Sequence, residues 1–215
     1  MLKLTSLGGV GTVTGSKHLL EHDGKRILID CGLFQGLKNL RELNWEPLPI
    51  APSSIDTVVL THAHLDHSGY LPKLVKDGFR GKIFATDATR AVAKLILRDS
   101  GYLQEKDAEY ANRKGFSKHK PALPLYGIHD AERALERFSS VSFDKGVQLP
   151  GGATLIFRHA GHILGAATAE IGVAEHLAQH IGGGDRAALD RAPVVVVVVA
   201  IELPVGPIPP APGSD

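Results

Sequence analysis

The most constraining feature of this sequence is a short apolar run followed at once by residues that can bind metal ions. Residues 55–61 read Ile-Asp-Thr-Val-Val-Leu-Thr, which predicts a buried strand. Residues 62–67 read His-Ala-His-Leu-Asp-His, so three imidazoles and one carboxylate lie within six positions. They fall on the loop at the carboxyl end of the strand, where open α/β sheets place their sites. The fold is therefore expected to place a polar cluster at one edge of a sheet.

The spacing of these four residues fits two metal ions. His62 and His64 are two positions apart, so in an extended segment they point to the same side and can bind one zinc ion. Asp66 and His67 follow as the chain turns into a helix, and a carboxylate beside an imidazole suits a second zinc or manganese ion. Two ions about 3.5–4 Å apart can hold a bridging hydroxide and clamp the oxygens of a substrate. A loop of satisfied polar residues is the less favoured interpretation.

Four neighbouring residues cannot complete two coordination shells, so further ligands must come from elsewhere. His162 is the best candidate, because it lies between two predicted strands among small residues that permit a tight turn. Asp30 ends a strand, and its carboxylate can orient a metal-bound histidine. The neighbouring Cys31 is interpreted as a small buried apolar residue rather than a ligand. His159 is interpreted as a strand-end histidine.

Alternating strand and helix patterns predict an α/β layered fold. The predicted strands, besides 55–61, are 17–21, 26–30, 82–85, 140–143, 154–158 and 167–171, and residues 22–24 (His-Asp-Gly) predict a hairpin turn between the first two of these. The predicted helices are 71–77, 87 to about 98, and 130–138, and the polar stretch 99–137 is prone to form helix around a break at 121–124. Further along, the valines 194–199 suit a buried strand, 174–181 predicts an amphipathic helix, and the Pro-rich residues 204–215 predict a disordered tail.

Composition narrows the class of protein. The 215 residues fit one domain, or one domain with a tail. A single cysteine excludes a disulfide framework. No stretch approaches the ~20 apolar residues of a membrane span, and the N-terminus lacks the apolar core of a signal peptide. We therefore expect a soluble cytoplasmic protein that has no association with a membrane.

Charge and aromatic content give little sign of nucleic-acid binding across the whole chain. The formal net charge is only +1, and aromatic residues make up 6% of the chain. Residues 113–120 are the most basic stretch. A solvated loop is the preferred interpretation of this stretch, and a surface that contacts phosphates is the alternative.

Several motifs together resemble the metallo-β-lactamase superfamily, and within it the β-CASP branch of RNA-processing nucleases related to the cleavage and polyadenylation endonuclease. Residues 62–69 match the superfamily signature His-X-His-X-Asp-His. The segments that narrow the resemblance to the β-CASP branch are 11–16 with 19–21, 28–36 and 160–165. The resemblance covers about residues 1–172.

The resemblance implies an αββα sandwich, with residues 1–203 as the metallo-β-lactamase-like domain and the chain truncated before the β-CASP insertion. It also implies two zinc ions. His62, His64 and His162 are assigned to one ion, and Asp66 and His67 to the other. Asp185, in a Gly-Asp pair at about the right distance, is the candidate for a carboxylate that bridges both ions. The second site is expected to be incomplete where the family takes ligands from later segments.

The implied activity is that of a zinc-dependent phosphodiesterase or ribonuclease that acts on RNA. A metal-bridging hydroxide attacks phosphorus, and Asp66 is the expected catalytic residue because it helps to hold the hydroxide and its metal. Two alternatives remain open: a hydrolase of a thioester or lactone on the same fold, and a catalytically incomplete metal-binding fragment. RNA is the expected partner, and assembly into a homo-oligomer is left open.

Overall fold

The computed structural model describes residues 2–173 and the backbone of residues 194–198, and these contain ten strands and five α-helices. The strands are β1 (Leu2–Gly8), β2 (Lys17–His22), β3 (Lys25–Ile29), β4 (Thr57–Val59), β5 (Lys82–Ala85), β6 (Phe138–Ser140), β7 (Val147–Gln148), β8 (Thr154–His159), β9 (Ala167–Val173) and β10 (Val194–Val198). The helices are α1 (Lys38–Glu42), α2 (Leu65–Ser68), α3 (Leu71–Lys76), α4 (Asp87–Lys114) and α5 (Ile128–Leu135).

The strands form two sheets. The first has the order β1-β2-β3-β4-β5-β6, antiparallel from β1 to β3 and parallel from β3 to β6. The second has the order β10-β9-β8-β7 and is antiparallel throughout. The strand predicted from the valine run is confirmed, since Val194 pairs with Val173 of β9. Because β3 to β6 run parallel, their carboxyl ends meet at one edge, and the histidine-rich loop follows β4 there.

The first sheet is covered on both faces, because neighbouring residues of a strand point in opposite directions. Val58 packs in the cluster beneath the helices, whereas Val59 packs in the cluster between the sheets. Helical residues of the first cluster include Leu71, Leu74, Ala93, Leu97 and Ala131. Second-sheet residues of the other cluster include Leu155, Phe157, Ala169 and Ile171. The α/β class is confirmed, with helix–sheet–sheet layers; residues 2–173 and 194–198 contain no second helical layer.

The hairpin predicted at residues 22–24 is confirmed. β2 ends at His22 and β3 begins at Lys25, and these two residues pair. The two residues between them, Asp23 and Gly24, have φ of 49° and 70°. Two positive φ angles define the tight turn whose twist matches that of the flanking strands. The turn therefore fixes which residues of β2 and β3 face the core.

Two predicted boundaries are wrong. The helix expected to end near residue 98 is α4, which continues to Lys114 and ends where Gly115 adopts a φ of 71°. Its second half is rich in strong helix formers and needs no apolar face to continue. The helix predicted over 130–138 ends at Leu135, and Phe138 instead lies in β6, paired with Ile83. Pairing with β5 outweighed the helical spacing of the apolar residues.

Several predictions lie outside the described residues. They are the helix at 174–181, the Gly-Asp pair with Asp185, and the Pro-rich tail 204–215. The domain bounds of 1–203 stay a prediction for the same reason. Among the helices of the described part of the chain, none is both long and apolar enough to cross a membrane.

Candidate metal centre

Three imidazoles from distant parts of the sequence converge at the carboxyl edge of the first sheet. His62 and His64 follow β4, and His162 lies on the loop between β8 and β9. One nitrogen from each ring lies within 4.8 Å of the nitrogens of the other two. The ring centroids of His62 and His162 are 4.9 Å apart, as are those of His64 and His162. His62 is fully buried and the other two are half-buried, so the cluster opens to one side.

The backbone after β3 holds the short helix α2 in place. The amide of Cys31 donates to the carbonyl of His67 (2.7 Å), and the amide of Leu33 donates to the carbonyl of Leu65 (2.8 Å). Between them, a Cβ on Gly32 would lie 1.5 Å from the carbonyl oxygen of Asp66. Only glycine permits this approach, so Gly32 fixes where Asp66 and His67 sit.

Asp30 connects β3, β4 and α2 through one buried carboxylate. Its φ of 57° turns the chain at the end of β3, and the residue is only 1% exposed. Its Oδ1 accepts from the backbone amide of Thr61 (2.8 Å), and its Oδ2 accepts from the Thr61 hydroxyl (2.9 Å). Nδ1 of His67 lies 2.7 Å from the same Oδ2. Since a carboxylate only accepts, His67 donates from Nδ1 and directs Nε2 toward Asp66, 3.6 Å from its Oδ2.

Thr61 sets the protonation of His62, a role that the sequence prediction missed. The Thr61 hydroxyl gives its one hydrogen to Asp30, so at 3.0 Å from Nδ1 of His62 it can only accept. His62 therefore carries its hydrogen on Nδ1 and presents a lone pair on Nε2. A polar residue at the end of a buried strand, facing a carboxylate on the next strand, was the available signal.

Nε2 of His62 is one of the buried polar atoms that lack a hydrogen-bond partner within the described residues. Burial lowers the pKa of His62 to about 3, helped by the nearby His67, His64 and His162. A buried, neutral imidazole with an outward lone pair is costly unless a cation accepts that pair. The donor set thus fits a bound metal ion.

The loop that carries His162 is anchored on the first turn of α4. The hydroxyls of Thr86 and Thr89 both donate to the carbonyl of Gly165, each at 2.8 Å. Gly165 has a φ of 84°, and a Cβ there would lie 2.3 Å from the Thr89 amide nitrogen. The amide of Ala167 donates to the carbonyl of Thr61 (3.0 Å), which ties β9 to the histidine-rich loop. The two threonines form a second contact that sequence reasoning missed.

A cavity of about 660 Å³ opens beside the cluster. Its lining residues come from the segment after β3, from α2 and from α4: Gln35, His64, Leu65, Asp66, Ile96, Asp99, Ser100, Leu103, Gln104 and Asp107. A substrate in this cavity would touch His64 and Asp66 directly.

The structure thus brings together five of the six predicted metal ligands, and Asp185 lies outside the described residues. Cys31 is buried and lies outside the histidine triangle, and burial raises the pKa of its thiol to about 12.

Comparisons with known proteins agree with this geometry. Residues 11–83 match the family model described as the metallo-beta-lactamase superfamily. The ribonuclease TTHA0252 of Thermus thermophilus is 36% identical over 166 residues, covering 77% of this chain and 34% of the relative. Cleavage and polyadenylation specificity factor 73 of Drosophila melanogaster is 33% identical over 175 residues, covering 81% and 23%. The chain therefore spans about a third or less of the length of these curated relatives.

A third relative is named for a different role. Transcription termination factor FttA of Cenarchaeum symbiosum is 31% identical over 188 residues, covering 86% of this chain and 26% of the relative. The relatives thus include a ribonuclease, a cleavage and polyadenylation factor and a transcription termination factor. Members of the metallo-β-lactamase superfamily depend on metal ions. Residues 11–83 therefore belong to a metallo-β-lactamase superfamily domain, and the chain is similar to proteins of the β-CASP branch of that superfamily.

Proposed function

We propose that this chain is a zinc-dependent phosphodiesterase that hydrolyses RNA. The observation that carries the proposal is the buried Nε2 of His62, which has no hydrogen-bond partner among residues 2–173 and lies in a triangle completed by His64 and His162. The names of the ribonuclease and of the cleavage factor among the relatives support RNA as the substrate class.

The proposed ligand sets follow from the side chains present. His62, His64 and His162 would hold one ion, and Asp66 with His67 would hold the other. Two divalent ions supply, when bound, an activated water and a clamp for phosphate oxygens. Asp185 is proposed as an additional ligand.

The chain's own residues prepare this site in three ways. Thr61 keeps the lone pair of His62 on Nε2, and Asp30 does the same for His67 through Nδ1. The negative charge of Asp30 also makes the His67 imidazole a stronger electron donor. Gly32 and Gly165 allow the close backbone contacts that hold the ligands in register. The cavity wall of α4 gives the substrate a surface next to Asp66.

The test is a set of measurements on the purified chain. Bound zinc per chain is determined after dialysis, and cleavage of a labelled RNA is followed beside hydrolysis of bis-(p-nitrophenyl) phosphate. We expect two zinc ions and turnover of both substrates. His64→Ala should abolish turnover and reduce the bound zinc. His129→Ala is the matched control, because His129 is exposed and lies on α5 away from the cluster.

The other outcomes separate the rival functions. Turnover of a thioester or lactone without RNA cleavage would replace the proposal by hydrolysis of those esters. One zinc ion or none, with no turnover of any substrate, would identify a metal-binding fragment. Equal losses in His64→Ala and His129→Ala would show that the activity does not come from this cluster.

A further inference from the structure

A second cavity, of about 870 Å³, is lined by basic and apolar residues. We call it the basic groove, and its lining residues are Glu42, Trp45, Ser117, Lys118, His119, Lys120, Pro121, Ala122 and Leu123. None of them belongs to the metal centre. The groove contains the second half of the basic stretch 113–120, whose preferred interpretation from sequence was a solvated loop.

The charge of the groove is positive and unneutralised. Lys118 and Lys120 are exposed, and neither forms an ion pair with another residue in the described ranges. The one acidic lining residue, Glu42, is paired with Lys38 at 3.7 Å. Lys118 and Lys120 therefore attract a polyanion, and no existing ion pair of these two lysines has to break when the polyanion binds.

The groove also presents flat apolar surface to solvent. Trp45 is 58% exposed and Leu123 is 66% exposed, although both line a concave surface. An exposed indole beside lysines is the combination on which single-stranded nucleic acids bind, with a base stacked on the ring and phosphates on the cations. A folded protein partner would be expected to cover a broader apolar area with fewer lysines.

The loop that carries the lysines is fixed in place. The side chain of Asn112, in the last turns of α4, donates to the carbonyl of Ala122 (2.9 Å) and accepts from its amide (2.7 Å). Gly115 ends the helix in the left-handed region, and the amide of His119 donates to the Ser117 hydroxyl (3.1 Å). A fixed loop loses less entropy on binding than a free one.

The groove and the cavity beside the metal centre are lined by neighbouring parts of the chain. Gln35 of the cavity and Trp45 of the groove lie on the segment after β3, whereas α4 lines the cavity and the loop that follows α4 lines the groove. Asp107 lines the first cavity, and the helix ends seven residues later at Lys114. At 1.5 Å per residue the helix ends about 10 Å beyond Asp107, and the lining of the groove begins three residues after that end, at Ser117.

We propose that the basic groove binds single-stranded RNA and leads it toward the metal centre. Lys118 and Lys120 bind two phosphates, and Trp45 stacks on a base. The choice of RNA among polyanions rests on the proposed function; the placement of the strand rests on the groove itself.

The test measures binding in EDTA, so that no cleavage takes place. The full chain is titrated against a fluorescein-labelled oligouridine of about 20 nucleotides, longer than the ~4–16 nucleotides that a single-strand site covers. In the double variant Lys118→Ala/Lys120→Ala, the negative slope of log K against log salt should become shallower by about 1.4, because each phosphate contact on a single strand contributes about 0.7. Trp45→Ala should weaken binding by about 5- to 150-fold.

Trp45 supplies a direct signal, since it is the one tryptophan of the chain. RNA that stacks on it should quench its fluorescence at the concentration at which anisotropy saturates. The matched control is Lys82→Ala/Lys145→Ala, which removes the same charge from two exposed lysines outside the groove. An unchanged salt slope in Lys118→Ala/Lys120→Ala, or unquenched Trp45 at saturating RNA, would overturn the proposal and leave another occupant, such as a protein, for the groove.

Hydrolysis of bis-(p-nitrophenyl) phosphate separates this inference from the proposed function. The compound is too small to reach from the metal centre into the groove, so both double lysine variants should hydrolyse it at the rate of the unmodified chain. If RNA binds in the groove but is never cleaved, the proposed activity is refuted and the proposal that the groove binds RNA is retained. If the unmodified chain cleaves RNA but Lys118→Ala/Lys120→Ala binds RNA unaltered, the proposed activity stands and the role of the groove is refuted.

Discussion

At the scale of single residues, the protonation of the metal centre depends on side chains that touch no metal. The Thr61 hydroxyl has one hydrogen, and it donates that hydrogen in a hydrogen bond to Asp30. His62 must then donate from Nδ1, which leaves Nε2 as the only nitrogen that can bind an ion. Asp30, at the end of the neighbouring strand, thus determines through Thr61 which nitrogen of His62 can bind a metal ion.

Replacing Thr61 by valine keeps the shape of the side chain and removes the hydroxyl. We expect the affinity for zinc to fall by about 10- to 100-fold, the range found when a partner that orients a metal-bound histidine is lost. Competition with a chromogenic chelator measures the affinity.

The control for this change is Thr57→Val, on the same strand. Thr57 is also buried, and its hydroxyl donates to the carbonyl of Lys82 (2.8 Å) far from the histidines. It should lower the free energy of unfolding by about 1 kcal/mol without altering zinc affinity. Equal zinc affinities for the two variants would contradict the role given to Thr61.

Cys31 should be chemically silent while the chain is folded. It is the one cysteine of the sequence, it is fully buried, and burial raises the pKa of its thiol to about 12. At pH 8 we expect a thiol reagent to label it only as fast as the chain unfolds, whereas in guanidinium it should react at once. Rapid labelling of the native chain would show that β3 is not packed as described.

The same thiol gives a sign for the dependence of stability on pH. Its pKa is about 12 in the folded chain and 9.0 in its ordinary state. Between these values the unfolded chain releases the proton and the folded chain keeps it. The free energy of unfolding should therefore fall as the pH rises through this window. For Cys31→Ala we expect it to fall less steeply between pH 8 and 10, as measured by urea unfolding.

At the scale of elements, the metal centre depends on two close backbone contacts between loops and helices. One joins Gly32 to α2, and the other joins Gly165 to the first turn of α4. Both glycines lie where a side chain has no room. The helices thus act as fixed supports for the loops that carry the histidines.

Gly165→Ala tests the second contact. A left-handed φ costs an alanine about 1–2 kcal/mol anywhere, and here the new Cβ would also overlap the Thr89 amide. Gly152→Ala is the control, because Gly152 has a φ of 73° and open space around it. We expect Gly165→Ala to lower the free energy of unfolding more than Gly152→Ala, and only Gly165→Ala to weaken zinc binding, as measured by urea unfolding and chelator competition. Equal zinc affinities would show that this contact does not position His162.

The elements show how far the sequence can be interpreted. Local signals located the strand before the histidines, the turn at Asp23 and Gly24, and His162 as the distant candidate ligand. The contacts of Thr86 and Thr89 with Gly165 span more than 70 positions, so no local pattern indicates them. The boundary at Phe138 was missed because the choice between helix and strand there is made by pairing with Ile83.

At the scale of the whole molecule, the ligands come from two different sheets. His62 and His64 follow a strand of the first sheet, whereas His162 lies between two strands of the second. An ion bound to all three would join the sheets across the core they share. Binding should therefore stabilise the entire fold rather than one loop.

Zinc at about 100 times its dissociation constant should raise the free energy of unfolding by about 2.7 kcal/mol per site. His162→Ala, which leaves ligands on one sheet only, should show a smaller rise, and His129→Ala the full rise. Urea unfolding with and without zinc measures the difference. An equal rise in both variants would mean that the ion does not join the sheets.

The contact between His64 and His162 also has a consequence for the order of events during synthesis. The two residues are 98 positions apart. A ribosome that adds about 5–20 residues per second needs roughly 5–20 s to go from one to the other. During that interval the nascent chain carries the His-X-His-X-Asp-His segment without the ligand from the second sheet. Any ion that binds then is held by a partial set of donors, so the selection among competing metal ions is completed only when the hairpin of β8 and β9 has formed.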